Sequence, residues 1–84
     1  MTNKEILKKQ IIYRATHRGS KEMDILLGNF VKRHIDNFNE DELADIKKIL
    51  FIEDEIIHQW YFSNKNTKII PNNKISKMLK KFKI

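Results

Sequence analysis

The stretch THRGSKEMD, residues 16–24, divides the first third of the chain into two helices. Upstream of it, Thr2 and Glu5 have the spacing of a capping box, and apolar residues follow at helical intervals. Gly19 is the residue type that most often ends a helix in the left-handed conformation, so the sequence predicts that the first helix ends there. Ser20 can cap the next helix, whose first turn carries acids that complement the helix dipole.

The second and third helices show the same kinds of signal. The apolar stripe of the second helix consists of Met23, Leu26, Leu27, Phe30, Val31 and Phe38, with His34 and Ile35 alongside. Asn39 and Glu42 repeat the capping-box spacing and therefore predict the start of a third helix.

The last part of the chain predicts a short helix, a loop and a basic helix. Asp54 is expected to cap the short fourth helix, and a basic fifth helix is expected over about residues 73–83. The segment TKII between them is not interpreted as a strand. We therefore predict an all-α fold, with residues 1–84 forming a single domain and a small bundle of about five helices.

Composition excludes several classes of protein. The chain has no cysteine, which excludes disulfides and thiolate zinc sites, and no apolar run near the roughly 20 residues of a spanning helix. The two glycines exclude a glycine-rich phosphate loop, and the three histidines are 17 and 24 residues apart, too irregular for a ligand pair. We therefore expect a cytoplasmic monomer that does not insert into membranes and has no catalytic residues, no metal and no cofactor of its own.

Charge is distributed in three blocks, with +5 over residues 1–33, −6 over residues 34–63 and +7 over residues 64–84. A nucleic-acid-binding protein usually spreads its basic face over the domain, so the acidic middle favours a partner other than nucleic acid. A small basic helical module that binds nucleic acid through Lys74 to Lys83 and the first helix is the main alternative, and an adaptor for some other enzyme is a second. The last helix could also lie on a membrane, but we favour a bundle helix whose lysines face water.

The placement of arginine suggests a docking site. Arg14 and Arg18 lie just before Gly19 in a chain with 14 Lys and only three Arg. Lysine would complement a helix end equally well, whereas only arginine offers a planar fork. We therefore expect an exposed Arg18 and Glu22 to orient a partner that approaches the bare backbone of Gly19. Arg18→Lys is expected to fold normally and to bind that partner more weakly.

The segment RGSKEMD, residues 18–24, resembles the Arg-Gly-x-x-Glu-x-Asp signature of the succinate dehydrogenase assembly factors that promote covalent flavin attachment. Tyr13 lies six positions before the glycine, where that family commonly has an aromatic residue. The segments DILLGNFVKRHI and FNEDELADIKKIL resemble the second and third helices of the family, and EDEIIHQW resembles its short segment ending in tryptophan. The resemblance covers about residues 8–62.

The resemblance implies a five-helix protein without catalytic activity. It implies binding to the flavoprotein subunit of succinate dehydrogenase, and in some bacteria of fumarate reductase, while FAD becomes linked to a histidine of that subunit. By position, Arg18, Gly19 and Glu22 would form the centre of the docking surface, with Asp24 bracing the junction. Tyr13 also belongs to the resemblance, and Arg14 is added from its spacing alone.

Overall fold

Five α-helices and one short 3-10 helix form the structure, a computed structural model that describes residues 2–83. In chain order they are α1 (Asn3–Thr16), α2 (Lys21–His34), a 3-10 helix (Ile35–Asn37), α3 (Glu40–Leu50), α4 (Asp54–Phe62) and α5 (Lys74–Lys81). No strand occurs within residues 2–83, so the prediction of an all-α fold with about five helices is confirmed. None of the helices in this range is long and apolar enough to cross a membrane.

Most helices begin at the predicted caps. The Thr2 hydroxyl accepts a hydrogen bond from the first turn of α1 at 3.2 Å, and the Ser20 hydroxyl does the same for α2 at 3.3 Å. Asn39 and Glu42 form both hydrogen bonds of a capping box at the start of α3, at 2.8 and 2.9 Å. Asn73 begins a second capping box at α5. These bonds satisfy backbone N–H groups that have no partner within a helix.

The core lies where α2 packs against α1, and where α1 and α5 pack against α3. Its buried apolar residues are Ile11, Ala15, Met23, Leu26, Leu27, Phe30, Val31, Ile35, Phe38, Leu43, Ile46, Ile49, Leu50, Ile57, Ile70, Ile75 and Leu79. The predicted stripe of α2 is buried throughout, including Phe38, which lies beyond the end of that helix. Because Ile75 and Leu79 are buried, α5 is a bundle helix, and its apolar face is already occupied.

Helix α1 ends earlier than predicted, and Gly19 does not cap it. The helix ends at Thr16, and Gly19 does not have a positive φ. The carbonyls of the last turn are instead satisfied by local side chains. The Thr16 hydroxyl donates to the Ile12 carbonyl at 2.8 Å, and the His17 ring nitrogen Nδ1 lies 2.8 Å from the Tyr13 carbonyl. A left-handed glycine is therefore not needed at this helix end.

The prediction that Asp54 caps α4 is also wrong. The N-cap is Glu53, which makes no side-chain capping bond, and Asp54 is the first residue of the helix itself. The Asp54 carboxylate turns instead toward the junction between α1 and α2, where it meets Arg18 and Gly19.

Candidate functional site

The Arg18 side chain is the centre of the candidate site, and it points inward. It is 10% exposed, and its guanidinium nitrogen Nη1 donates to the Leu50 carbonyl at 2.6 Å. Nη2 donates to the Ile52 carbonyl at 2.9 Å, while Nε donates to Asp54 Oδ1 at 2.7 Å. We call this set, Arg18 with Asp54 and the carbonyls of Leu50 and Ile52, the arginine bridge. It joins the end of α1 to the end of α3 and the start of α4.

The arginine bridge explains why this position suits arginine better than lysine. The carbonyls at the end of α3 have no partner within the helix, and a guanidinium can reach two carbonyls and a carboxylate at once because its donors form a planar fork. The Nη2 nitrogen also lies 2.6 Å from Asp54 Oδ1, so the charges are paired where solvent screens them little. The expectation that Arg18 is exposed is therefore wrong. From these contacts we now expect lysine to serve the junction less well than arginine.

Gly19 is held against the other oxygen of the same carboxylate. Its backbone N–H donates to Asp54 Oδ2 at 2.7 Å. A Cβ built on Gly19 would lie 3.1 Å from that oxygen, which is tighter than an ordinary van der Waals contact. A side chain at this position would require the Asp54 carboxylate to shift by a few tenths of an ångström, so the close approach of Asp54 is what favours glycine here. The predicted positive φ is not the cause.

Asp24 braces the junction from the α2 side, as the resemblance implied. Its carboxylate accepts a hydrogen bond from the Arg18 backbone N–H. The carboxylate also lies in the first turn of α2, where the helix dipole favours a negative charge. The backbone between the two helices is therefore held by two aspartates, Asp24 and Asp54, one on each side.

Glu22 lies beside this junction and is exposed. Its side chain is 69% exposed, and its Oε2 lies 3.5 Å from Nε2 of His58 on α4. A shallow groove of about 340 Å³ connects the exposed backbone of Gly19 with Glu22 and His58. The sequence predicted the exposure of Glu22 but gave no signal for His58.

A second and larger groove lies between α1 and α3, and Arg18 is among the residues that line it. It has a volume of about 760 Å³ and is lined by Lys9, Gln10, Tyr13, Arg14, His17, Arg18, Lys47 and Phe51. These residues include four cations and no carboxylate, and of the cations Arg18 is already paired with Asp54. We call it the α1–α3 groove. Such a lining favours a partner surface that carries negative charge.

Aromatic rings form the exposed walls of the α1–α3 groove. Tyr13 is 63% exposed and stacks on His17, with ring centroids 4.0 Å apart. Phe51 is 60% exposed, and the Arg14 guanidinium lies 4.2 Å from the centre of its ring. Exposed aromatic and arginine side chains are the types most enriched at protein interfaces. The sequence pointed to Tyr13 and Arg14 but not to Phe51.

The six residues predicted to bind a partner therefore have two kinds of position. Tyr13, Arg14, Gly19 and Glu22 are exposed around the junction, whereas Arg18 and Asp24 are partly buried and hydrogen-bonded within the chain. Their contact with a partner remains a prediction. Asp54 is the principal residue that the sequence did not assign to the site, because its partner Arg18 lies 36 positions away.

The chain is similar to proteins of one named group. The family model described as flavinator of succinate dehydrogenase matches residues 9–83. The chain is 34% identical over 74 residues to the FAD assembly factor SdhE of Acetobacter pasteurianus, covering 88% of this chain and 65% of that protein. It is 32% identical over 79 residues to succinate dehydrogenase assembly factor 2, mitochondrial, of Debaryomyces hansenii, covering 89% and 56%. The protein of that name from Scheffersomyces stipitis is 35% identical over 77 residues, covering 90% and 52%.

The coverage of these matches and the names of the relatives bear on function. The chain spans about half to two thirds of the length of these curated relatives. The family match continues past residue 62 through α5, beyond the region covered by the motif resemblance. None of the three relatives has a name that refers to nucleic acid, so the alternative of a nucleic-acid-binding module gains no support from them. No solved structure matches the chain significantly.

Proposed function

We propose that this chain, which belongs to the family of flavinators of succinate dehydrogenase, is an assembly factor for a flavoprotein. It binds the flavoprotein subunit of succinate dehydrogenase and promotes the covalent attachment of FAD to that subunit. The match of the family model to residues 9–83 is the observation that carries this proposal. FAD belongs to the partner, and the chain has no cofactor of its own.

In this proposal the chain acts by binding and not by catalysis. A binding protein shifts a conformational equilibrium only as far as it binds one conformation more tightly than the other. A tenfold shift toward a flavoprotein conformation that brings FAD to its attachment site needs about 1.4 kcal/mol of differential affinity. One or two well-placed interface residues can supply that amount. No catalytic group on the chain is therefore required.

We assign the docking surface to the junction between α1 and α2 and to the groove beside it. Its proposed residues are Tyr13, Arg14, Arg18, Gly19, Glu22 and Asp24. The exposed members would touch the flavoprotein, whereas Arg18 and Asp24 would hold the junction backbone in the shape that docks. The guanidinium of Arg18 supports this division, because all three of its nitrogens donate within the chain.

Charge supports a complementary partner surface. The α1–α3 groove is lined by cations without a carboxylate, whereas the exposed Glu22 lies outside it, in the smaller groove beside Gly19. A flavoprotein surface with acidic groups facing the groove and a basic group facing Glu22 would match both. Such complementarity fixes orientation and speeds encounter.

Flavin incorporation in a purified system tests the proposal. The flavoprotein subunit, produced without covalent FAD, is mixed with FAD in the presence or absence of this chain. Covalent flavin is then read as fluorescence of the denatured subunit. We expect faster incorporation when the chain is present. Equal incorporation with and without the chain would refute the assembly function.

Variants of two exposed acids test the docking surface. Glu22 and Asp41 are both exposed and lie in the first turns of α2 and α3, so their removal affects helix dipoles similarly. Glu22→Ala should weaken flavoprotein binding by about 30-fold if Glu22 is a hot spot of roughly 2 kcal/mol. Asp41→Ala should bind like the parent. Equal binding by both variants would move the docking surface elsewhere.

We also keep the cytoplasmic location and the monomeric state as parts of the proposal. The name of the bacterial relative mentions no cellular compartment, whereas the names of the yeast relatives include the word mitochondrial. Light scattering during gel filtration should give one species near the chain mass of 10.1 kDa. A species of twice that mass would contradict the monomer. Recovery of the chain in the membrane fraction at high salt would contradict the location.

A further inference from the structure

The last quarter of the chain is basic and is not used by the proposed flavin function. Residues 64–83 carry seven lysines and neither Asp nor Glu. Lys74 pairs with Glu42 at 2.9 Å, and the Lys80 ammonium donates to the Trp60 carbonyl. The remaining five, all of them exposed, are Lys65, Lys68, Lys77, Lys81 and Lys83. Their positive charge therefore faces solvent.

The orientation of α5 is fixed by its packing. Ile75 and Leu79 are fully buried against the rest of the bundle, which directs Lys77 and Lys81 outward on the opposite side. An amphipathic helix that binds a membrane through its apolar face needs that face to be available. The apolar face of α5 is occupied, so any ligand of this region meets the lysines and the loop before the helix.

That loop presents an aliphatic side chain among the cations. Ile69 is 57% exposed, although the next residue, Ile70, is 6% exposed and anchors the loop in the core. A groove of about 540 Å³ lies beside it and is lined by Lys68 and Ile70 of the loop and by Lys77 of α5, among others. Lysines from two separate segments thus converge around a groove next to an exposed isoleucine.

We propose that this basic surface, defined as Ile69 with Lys65, Lys68, Lys77, Lys81 and Lys83, docks on an anionic lipid bilayer. The lysines contact phospholipid phosphates, one of which can enter the groove, and Ile69 makes apolar contact at the headgroup boundary without entering the hydrocarbon core. Each lysine near an anionic membrane raises the partition coefficient about fivefold, equivalent to about 1 kcal/mol. This surface is separate from the junction between α1 and α2, and the inference does not depend on the flavin function.

The residue types favour a bilayer over a nucleic acid. Residues 64–83 contain no arginine, the side chain whose fork recognises phosphates and bases bidentately. The Trp60 ring, which could stack on a base, has the Lys80 ammonium 4.9 Å from its centre. An exposed isoleucine gains little from a phosphate backbone, but it gains apolar contact at a lipid interface.

Sedimentation with vesicles tests the inference on the full chain. Vesicles of phosphatidylcholine alone are compared with vesicles that also contain phosphatidylserine, each at low and at physiological salt. We expect binding to the anionic vesicles only, with weakening as salt rises, because screening shortens the reach of each lysine to about 8 Å. A triple variant Lys68→Gln, Lys77→Gln, Lys81→Gln should lose about a hundredfold in partition coefficient.

A matched triple variant separates a specific surface from net charge. Lys4→Gln, Lys32→Gln, Lys48→Gln removes the same charge from exposed positions outside the basic surface, and its binding should fall less than tenfold. Ile69→Ser should weaken binding without changing the salt dependence. Equal losses in both triple variants, no binding to anionic vesicles at low salt, or tighter binding to duplex DNA at equal phosphate would each overturn the proposal. Circular dichroism confirms that the variants remain folded.

Discussion

Replacing Arg18 by lysine tests the arginine bridge most directly. The substitution keeps the charge but replaces three donor nitrogens in a fork by a single ammonium. Arg18 now reaches the Leu50 carbonyl at 2.6 Å, the Ile52 carbonyl at 2.9 Å and the Asp54 carboxylate at 2.7 Å. A lysine that keeps its contact with the carboxylate cannot also bond both carbonyls in this geometry.

The expected loss follows from the carbonyl that is left without a partner. Removing a hydrogen bond from a desolvated acceptor costs about 1–3 kcal/mol, and bonds to charged donors lie in the upper part of that range. Solvent screening reduces this energetic cost only slightly, because the Arg18 side chain is only 10% exposed. We therefore expect Arg18→Lys to lower the free energy of unfolding by about 2 kcal/mol. For a chain of this size, the unfolding temperature should fall by about 8–16 °C.

Thermal unfolding followed by circular dichroism measures the effect. Arg33→Lys is the control, since Arg33 is exposed on α2 and exposed substitutions usually change stability by less than about 0.5 kcal/mol. Arg18→Ala should be worse than Arg18→Lys, because it leaves the Asp54 carboxylate without its charged partner. If Arg18→Lys unfolds within about 2 °C of the parent, the fork contributes little and the reasoning is refuted.

Three more predictions follow from other parts of the structure. Gly19→Ala should lower the free energy of unfolding by about 1 kcal/mol, since the new Cβ would lie 3.1 Å from Asp54 Oδ2. Denaturant unfolding measures this, and a variant more stable than the parent would show that the Asp54 side chain can move away without cost. Phe51→Ala should slow flavin incorporation, because Phe51 lines the α1–α3 groove. The unfolding temperature should stay within about 3 °C of the parent, because this ring is 60% exposed. Unchanged incorporation would show that Phe51 does not contact the flavoprotein. The pKa of Glu42 is lowered, first by the hydrogen bond from the Asn39 backbone N–H and then by Lys74. The ionised Glu42 carboxylate therefore stabilises the fold fully above the pKa that Glu42 has in the unfolded chain, and this stabilisation is lost as pH falls through its lower pKa in the folded chain. Glu42→Gln should therefore flatten the acid limb of a curve of unfolding free energy against pH.

The sequence predicts the local features of this fold well. Ser20, Asn39 and Glu42 make the capping bonds that their positions predicted, because a cap involves residues only three apart. The apolar stripe of α2 is buried as its helical period predicted. Both predictions depend on spacings of three or four residues along the chain, so they need no knowledge of the tertiary arrangement.

The contacts between distant segments could not be predicted in this way. Asp54 is a favourable N-cap residue type, and nothing in its neighbourhood reveals a partner 36 positions earlier. Phe51 comes directly after the apolar stripe of α3, and no local pattern indicates that it is exposed under the Arg14 guanidinium. In both cases the fold brings an arginine from α1 or the residues just after it to the end of α3, and the periodicity of the sequence does not predict that contact.

The position of Arg18 changes how loss-of-function variants in the Arg-Gly motif should be interpreted. Because the arginine bridge fixes the backbone of Gly19 through Asp54, a variant of Arg18 alters the fold and the proposed docking surface together. Reduced flavin incorporation by such a variant would therefore not demonstrate contact with the flavoprotein. Glu22 provides the cleaner test, since its side chain is 69% exposed and lies outside the arginine bridge. If Glu22→Ala binds the flavoprotein like the parent while Arg18→Lys fails only at temperatures that unfold it, the motif supports the fold alone, and the partner must dock elsewhere.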